Sequence, residues 1–281
     1  MCPIKKELEK KMNEYIQFNK DAWDNRVKNK NRYTLPMSHE TFIQQLEQPL
    51  SVALTIGKSV PIEWFEKTKG KKILGLACGG GQQSAVFASH GYDVTIMDFS
   101  QEQLDNDVLV AKRENFKITT VQSDMTQPFP FDDESFDIIF CPVSNVFIQD
   151  LTNLWNECYR ILRPEGLLMV GYMNPWAYMF DMDEVWDHPE ITLTPKFTIP
   201  FDSVSLKEQG KIQIDSQYGY EFSHTLETQI GGQLRAGFAM IDFYESNDTS
   251  SRLSQYNSLY LANLSIKQRK INLNSTRSNR I

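Results

Sequence analysis

The hydrophobic pattern changes rhythm twice along the chain. Residues 1–65 carry isolated aromatics (Tyr15, Phe18, Trp23) on a polar background, with breaks near Pro36, Pro49 and Pro61. That pattern predicts helices. From residue 72, short apolar runs alternate with amphipathic stretches. KKILGLACGGGQQS ends in a glycine-rich turn and leads into helix-like SAVFASHG, and DVTIMDFS is a second run that ends in an acid. SQEQLDNDVLVAKREN opens on a capping box, Ser100 with Gln103, and repeats Leu104, Val108 and Ala111 at helical spacing. FKITTVQSD, FDIIFCP and LLMVGYM read as the third, fourth and fifth strands. Between the last two, Leu151, Leu154, Trp155, Cys158 and Leu162 share one helix face, capped by Asp150 and stopped at Pro164–Gly166. Strand, turn and helix repeated over 72–173 predict βαβ units around a buried parallel sheet.

After Pro175 the period is lost. Residues 176–222 are rich in aromatics and predict an insertion of short strands and loops. SHTLETQIGGQLRAGF predicts a helix with Leu226, Ile230 and Leu234 four residues apart, interrupted at Gly231–Gly232, and FAMIDFYE and SLYLANLSI predict two closing antiparallel strands. The expected fold class is α/β: a Rossmann-like, doubly wound, mostly parallel seven-stranded sheet whose last strand is antiparallel. An N-terminal helical cap and a small insertion complete a single domain.

Composition narrows the function. The chain has 281 residues, 41% hydrophobic and 23% charged, which is ordinary globular usage. Mean hydropathy is −0.43, and no apolar run approaches the ~20 residues of a membrane helix. The charged start, MCPIKKELEKK, has no apolar stretch behind it, so a cytoplasmic protein is expected. Cys2, Cys78, Cys141 and Cys158 form no CxxC pair, and the four histidines stand at no ligand spacing to them, so no metal is expected. Net charge is −7, yet residues 1–32 hold nine basic residues against five acids, and 265–281 hold five basic residues and no acid. The acidic body between them repels phosphate backbones, so DNA is not an expected partner; the basic ends leave RNA open.

Candidate chemistry gathers at three strand ends. Gly79, Gly80 and Gly81 follow the first strand and open a helix, where backbone N–H groups face a crevice. No Lys follows them, which excludes a P-loop. Gly79-x-Gly81-x-x-Ser84 approximates a dinucleotide loop, and Asp98 stands where a ribose-binding carboxylate belongs. S-adenosylmethionine would use the same glycine turn and acid, together with a polar residue ending strand three. Asp124 supplies that residue, facing an adenine edge, with Phe99 or Met125 on the ring faces. Taken alone, Asp98 could equally be a helix-capping acid and Asp124 a turn residue.

ILGLACGGG, VTIMDFSQEQL, VQSDMTQPFPFDDESFDIIF and YRILRPEGLLMVGYMNP together resemble the class I S-adenosylmethionine-dependent methyltransferases. The flanks WDNRV, CPVSNVFIQD and FSHTLETQIGGQLRAGF resemble an uncharacterised bacterial branch of them. The resemblance implies a helical cap over 1–68, a cofactor-binding core over 71–175, a substrate-side insertion over 176–222, a closing unit over 223–265 and a basic tail over 266–281. It also implies cofactor contacts from Ala77, Cys78, Pro142 and Trp23, the last belonging with Arg26 to a lid. Ser144, Asn145 and Phe147 would touch cofactor or acceptor. Asn174, Trp176 and Tyr178 would line the acceptor pocket, and His224 is the candidate base, with helix capping as its alternative. The expected acceptor is a small, apolar or aromatic molecule. RNA methylation, cofactor binding without catalysis and a nicotinamide-type oxidoreductase are the alternatives.

The chain departs from the family in three places. Gly75 stands where the family carries an acid, and Ala77 where it carries glycine, so a weaker hold on the glycine loop is expected. Glu165 replaces the second glycine of the Pro-Gly-Gly turn. CPVSN replaces the Asn/Asp-Pro-Pro-aromatic motif, which argues against amino-group methylation of DNA bases or protein glutamine.

Overall fold

A computed structural model describes residues 3–186 and 188–269, with side chains from residue 14 onward. Most of the basic tail, residues 270–281, lies outside the described residues. The chain runs through α1 (Pro3–Lys28), α2 (His39–Leu46), α3 (Ile62–Glu66), β1 (Lys72–Leu76), α4 (Gln83–Ser89), β2 (Asp93–Asp98), α5 (Gln101–Glu114), β3 (Thr119–Gln122) and β4 (Phe136–Cys141). It continues through α6 (Thr152–Ile161), β5 (Leu162–Met173), α7 (Met182–Trp186), α8 (Ser203–Glu208), α9 (Gly232–Ala236), β6 (Phe238–Ser246) and β7 (Tyr260–Lys267).

The strands form one sheet in the order β3-β2-β1-β4-β5-β7-β6. Pairings among β1 to β5 are parallel, and β7 is antiparallel to both β5 and β6. Alternate side chains feed two cores. Ile73, Ile96, Ile138 and Leu167 pack with Trp64, Phe65 and Phe87 on one face. Leu74, Met97, Ile139 and Leu168 pack with Leu154, Trp155 and Cys158 of α6 on the other. Burial on both faces is why these strands read as continuous apolar runs rather than alternating ones. The order reverses between β1 and β4, and a crevice opens there beyond the strands' C-terminal ends.

Two expectations are corrected. Among the described residues the 176–222 insertion contains no strand; it holds α7, α8, a 3₁₀ turn at Pro175–Met179 and a single bridge between Asp202 and Phe222. The closing helix is also rotated from its apolar stripe. Residues Glu227–Gly231 form a π turn before α9, which leaves Leu226 and Leu234 about half exposed while Gln229 and Gln233 are buried. The glutamines go inward because partners wait there. Asn145 donates to Gln229 at 3.0 Å, and Gln233 exchanges hydrogen bonds with Asn263 and accepts one from Ser265. A buried polar network of this kind outweighs the local apolar period, even with the Asn145 side-chain oxygen left without a partner.

Candidate active site

The crevice is a cleft of about 640 Å³ including its open mouth. β1 contributes Leu76 and the following Ala77, β2 contributes Met97 and Asp98, and the turn after β3 contributes Ser123, Asp124 and Met125. Val143, Ser144 and Phe147 follow β4, while α1 closes the opposite side with Ile16 and Trp23. No Lys or Arg is among the described lining residues, and its titratable groups are Asp98 and Asp124.

Asp98 is 7% exposed. One carboxylate oxygen accepts from the Gly79 N–H at 3.1 Å and the other from the Ser100 N–H at 2.9 Å. Burial is the largest influence on its pKa and raises it to about 6, against those two donors. The capping and ligand-facing readings of Asp98 therefore coexist. Beside it the Gln103 side-chain oxygen is buried without a hydrogen-bond partner, an acceptor left over by the fold and set in the wall of the cleft. Asp124 also does two jobs: its oxygens accept from the Thr126 N–H at 2.8 Å and hydroxyl at 2.7 Å, and it lines the cleft with lone pairs to spare.

The glycine loop is turned inward. Gly79 N–H donates to Asp98, while Gly80 and Gly81 N–H each donate to Asp107 at 3.0 Å; Ala77 N–H donates to the Met97 carbonyl. A dinucleotide site needs these amides for pyrophosphate. Here they are spent on two buried carboxylates, whose charge repels an anion and favours a ligand carrying positive charge. S-adenosylmethionine, with its sulfonium and ammonium groups, fits this set. Asp98 and the Gln103 oxygen would take its ribose hydroxyls and Asp124 its adenine amine.

The structure brings Trp23, Ala77, Asp98, Phe99, Asp124, Met125, Ser144 and Phe147 to the cleft wall. Gly79 abuts Asp98, while Cys78 and Gly81 are buried behind the wall, and Pro142 is not part of the lining. Arg26 stacks over Trp23 at 4.4 Å and donates to the carbonyls of Gln217 and Tyr218, which ties α1 to the insertion.

Several expected acceptor residues lie elsewhere. Asn145 is fully buried, and Asn174 and Trp176 both donate to the Ser258 carbonyl at 3.0 Å. Tyr178 is buried, with its hydroxyl on Glu221 at 2.8 Å. His224 is 6% exposed, and its Nε2 faces the Asn145 carbonyl at 3.2 Å, so it anchors the turn after β4 and is outside the cleft lining. Burial, its largest influence, lowers its pKa. His224→Ala is therefore expected to cost stability by about 1–2 kcal/mol through the lost hydrogen bond and packing. Affinity for S-adenosylhomocysteine should stay within about twofold. Thermal unfolding and calorimetry check both.

Sequence reasoning missed Ile16, Gln103, Val143 and Asp107. For Asp107 a signal existed: an acid on the same helical face as Leu104 and Ala111, inside an apolar stripe.

Comparison with known proteins shows the family and the fold. A family described as a methyltransferase domain matches residues 74–170. The chain is 38% identical over 258 residues to a protein of Bacillus subtilis (strain 168) named uncharacterized methyltransferase YbaJ, covering 91% of this chain and all of that one. It is 24% identical over 173 residues to the ubiquinone biosynthesis O-methyltransferase of Actinobacillus pleuropneumoniae serotype 7 (strain AP76), covering 56% of this chain and 72% of that one. The fold matches a crystal structure of an S-adenosylmethionine-dependent methyltransferase from Clostridium acetobutylicum ATCC 824 with TM-score 0.55 at 14% identity, covering 74% of this chain and 89% of that chain. With sheet order, inward-turned glycine loop and relatives in agreement, the chain belongs to the class I S-adenosylmethionine-dependent methyltransferases.

Proposed function

We propose that the enzyme methylates a small, apolar or aromatic molecule whose nucleophile needs no base from the protein. The observation that carries this is the lining of the cleft. Its two titratable groups, Asp98 and Asp124, are already engaged in backbone hydrogen bonds, and the remaining wall at the β4 end is Val143, Ser144, Phe147 and Trp23. When bound, S-adenosylmethionine supplies an electrophilic methyl group on its sulfonium. The chain's own task is then to hold donor and acceptor in line and keep water out. Trp23 and Phe147, packed edge to face with ring centroids 5.3 Å apart, supply that dry wall. Relatives named for ubiquinone biosynthesis support an aromatic acceptor.

The roles proposed for the cleft residues follow the same geometry: Asp98, Gln103 and Asp124 hold the nucleoside, while Ser144 and Phe147 meet the acceptor. Among the described residues no helix is long and apolar enough to cross a membrane, and Cys78, Cys141 and Cys158 are unpaired. Both support a cytoplasmic setting.

The test is mass spectrometry of cell extract incubated with the enzyme and an isotopically labelled methyl donor. A labelled small apolar product supports the proposal, whereas label in RNA, with a steep salt dependence, selects the macromolecular reading. In calorimetry S-adenosylhomocysteine should bind and NAD should not, because the loop amides are occupied.

A further inference from the structure

We propose that Asp107 is the positioning residue that holds the glycine loop in its cofactor-accepting form, doing from α5 what the family's acid at position 75 would do from β1. The inference rests on the cofactor reading above and deepens it. Asp107 is fully buried. One of its oxygens accepts from Gly80 N–H at 3.0 Å; the other accepts from Gly81 N–H at 3.0 Å and from the Ser84 hydroxyl at the start of α4. Three donors from two elements thus converge on one carboxylate.

The loop is braced on α5 in other ways. Gly80 N–H is shared with the Gln103 carbonyl at 3.1 Å, and a Cβ on Gly81 would lie 2.7 Å from the Asn106 carbonyl oxygen. Gly80 and Gly81 hold φ of +120° and +72°, and two amides drawn onto one carboxylate keep the loop in that shape. A side chain on β1 would have to displace its neighbours to do this. At Gly75 even a Cβ would come within 2.4 Å of the Cys78 sulfur and 2.6 Å of Ile96. The weaker hold on the loop expected from the missing acid is therefore corrected: the anchor has moved to a different element.

A carboxylate with these partners is sensitive to protonation. The titratable groups facing Asp107 are Asp98 from β2 and the Cys78 thiol from the turn after β1. Burial, the largest influence, raises the Asp107 carboxyl to about 7, against the hydrogen bonds from Ser84, Gly80 and Gly81. Protonation places an O–H among three donors and slackens the loop. Cofactor affinity should then fall as pH drops through that value.

The experiment measures S-adenosylhomocysteine affinity and ligand-free melting temperature across a pH series spanning the value of about 7, including pH 5.5 and 8.0, for wild type, Asp107→Asn and Ser84→Ala. Asp107→Asn keeps the size but puts an NH₂ against loop N–H groups. Its affinity at pH 8.0 should fall roughly tenfold or more, with a smaller pH dependence than wild type. Ser84→Ala removes one donor and should move the midpoint of the affinity profile to higher pH, which decides the matter if Asp107→Asn does not fold. Wild-type affinity and pH profile in both variants would overturn the proposal. So would a loss in Asp107→Asn that follows its melting temperature alone and leaves the pH profile unchanged. Failure of wild type to bind would instead overturn the cofactor reading itself.

Discussion

Asp98→Ala is expected to weaken S-adenosylhomocysteine binding roughly 100-fold or more, the largest single effect on the site. Two hydrogen bonds to a charged acceptor contribute on the order of 3–6 kcal/mol, and each 1.4 kcal/mol is tenfold. The substitution removes the carboxylate proposed to take the ribose hydroxyls and also releases Gly79 N–H. Asp98→Asn keeps one acceptor and should lose less, about tenfold.

The pH dependence of Asp98 follows from its position. Burial raises the carboxyl to about 6, so cofactor-product affinity falls as pH drops through 6 and the acceptor is protonated. Stability of the ligand-free protein responds oppositely. A carboxyl whose folded pKa lies above its unfolded value of 3.8 contributes stability that is fully present below about 4 and lost as pH rises through about 6. Calorimetry and thermal melts between pH 5 and 8 should therefore slope in opposite directions, and Asp98→Asn should remove the part of each slope near pH 6 while leaving the part near 7 that belongs to Asp107.

Gly171→Ala is expected to be among the most disruptive single-methyl changes to the core of the fold. A Cβ there would lie 2.2 Å from the Leu54 carbonyl oxygen, which is backbone and cannot rotate aside. Shifting packed backbone costs about 3 kcal/mol, or roughly 5–10 °C of melting temperature in a chain of this length. The damage should reach the site, because the same Leu54 carbonyl accepts from Val143 N–H at 3.3 Å and Val143 lines the cleft. A several-fold loss of cofactor-product affinity should accompany the lower melt. Gly210→Ala is the control: its Cβ meets nothing within 4 Å, so only the left-handed backbone opposes it, at about 1 kcal/mol. Equal melts for the two variants would contradict the packing argument.

Much of this was legible locally. β1, β2, β4 and β5 announce themselves because a strand buried on both faces must be apolar along its length, whereas β3, TTVQ at the sheet edge, is half exposed. Ser100 caps α5, accepting from Gln103 N–H at 3.2 Å, but the reciprocal half of the expected capping box does not form: Ser100 N–H donates to Asp98 and the Gln103 side-chain oxygen has no partner. Asp98 could be found because a residue ending β2 of an alternating βαβ array necessarily faces the crevice. The lid was legible only in outline: Trp23 stood out as an isolated aromatic, while Ile16, about two turns away, carried no distinguishing mark.

Hydrophobic periodicity and strand-end acids are properties of neighbouring residues, so the amino-acid order alone determined the parallel core, its crevice and the acid at its second strand. Partnerships between residues distant in the chain belong to tertiary structure. Only there do Gln229 and Gln233 turn inward past the exposed Leu226 and Leu234, because Asn145 and Asn263 lie opposite. Only there does His224 settle against Asn145, outside the cleft. The same holds for Asp107, which reaches a loop 26 residues earlier in the chain. A buried polar group goes where its hydrogen bonds can be met, and no local pattern records where that is.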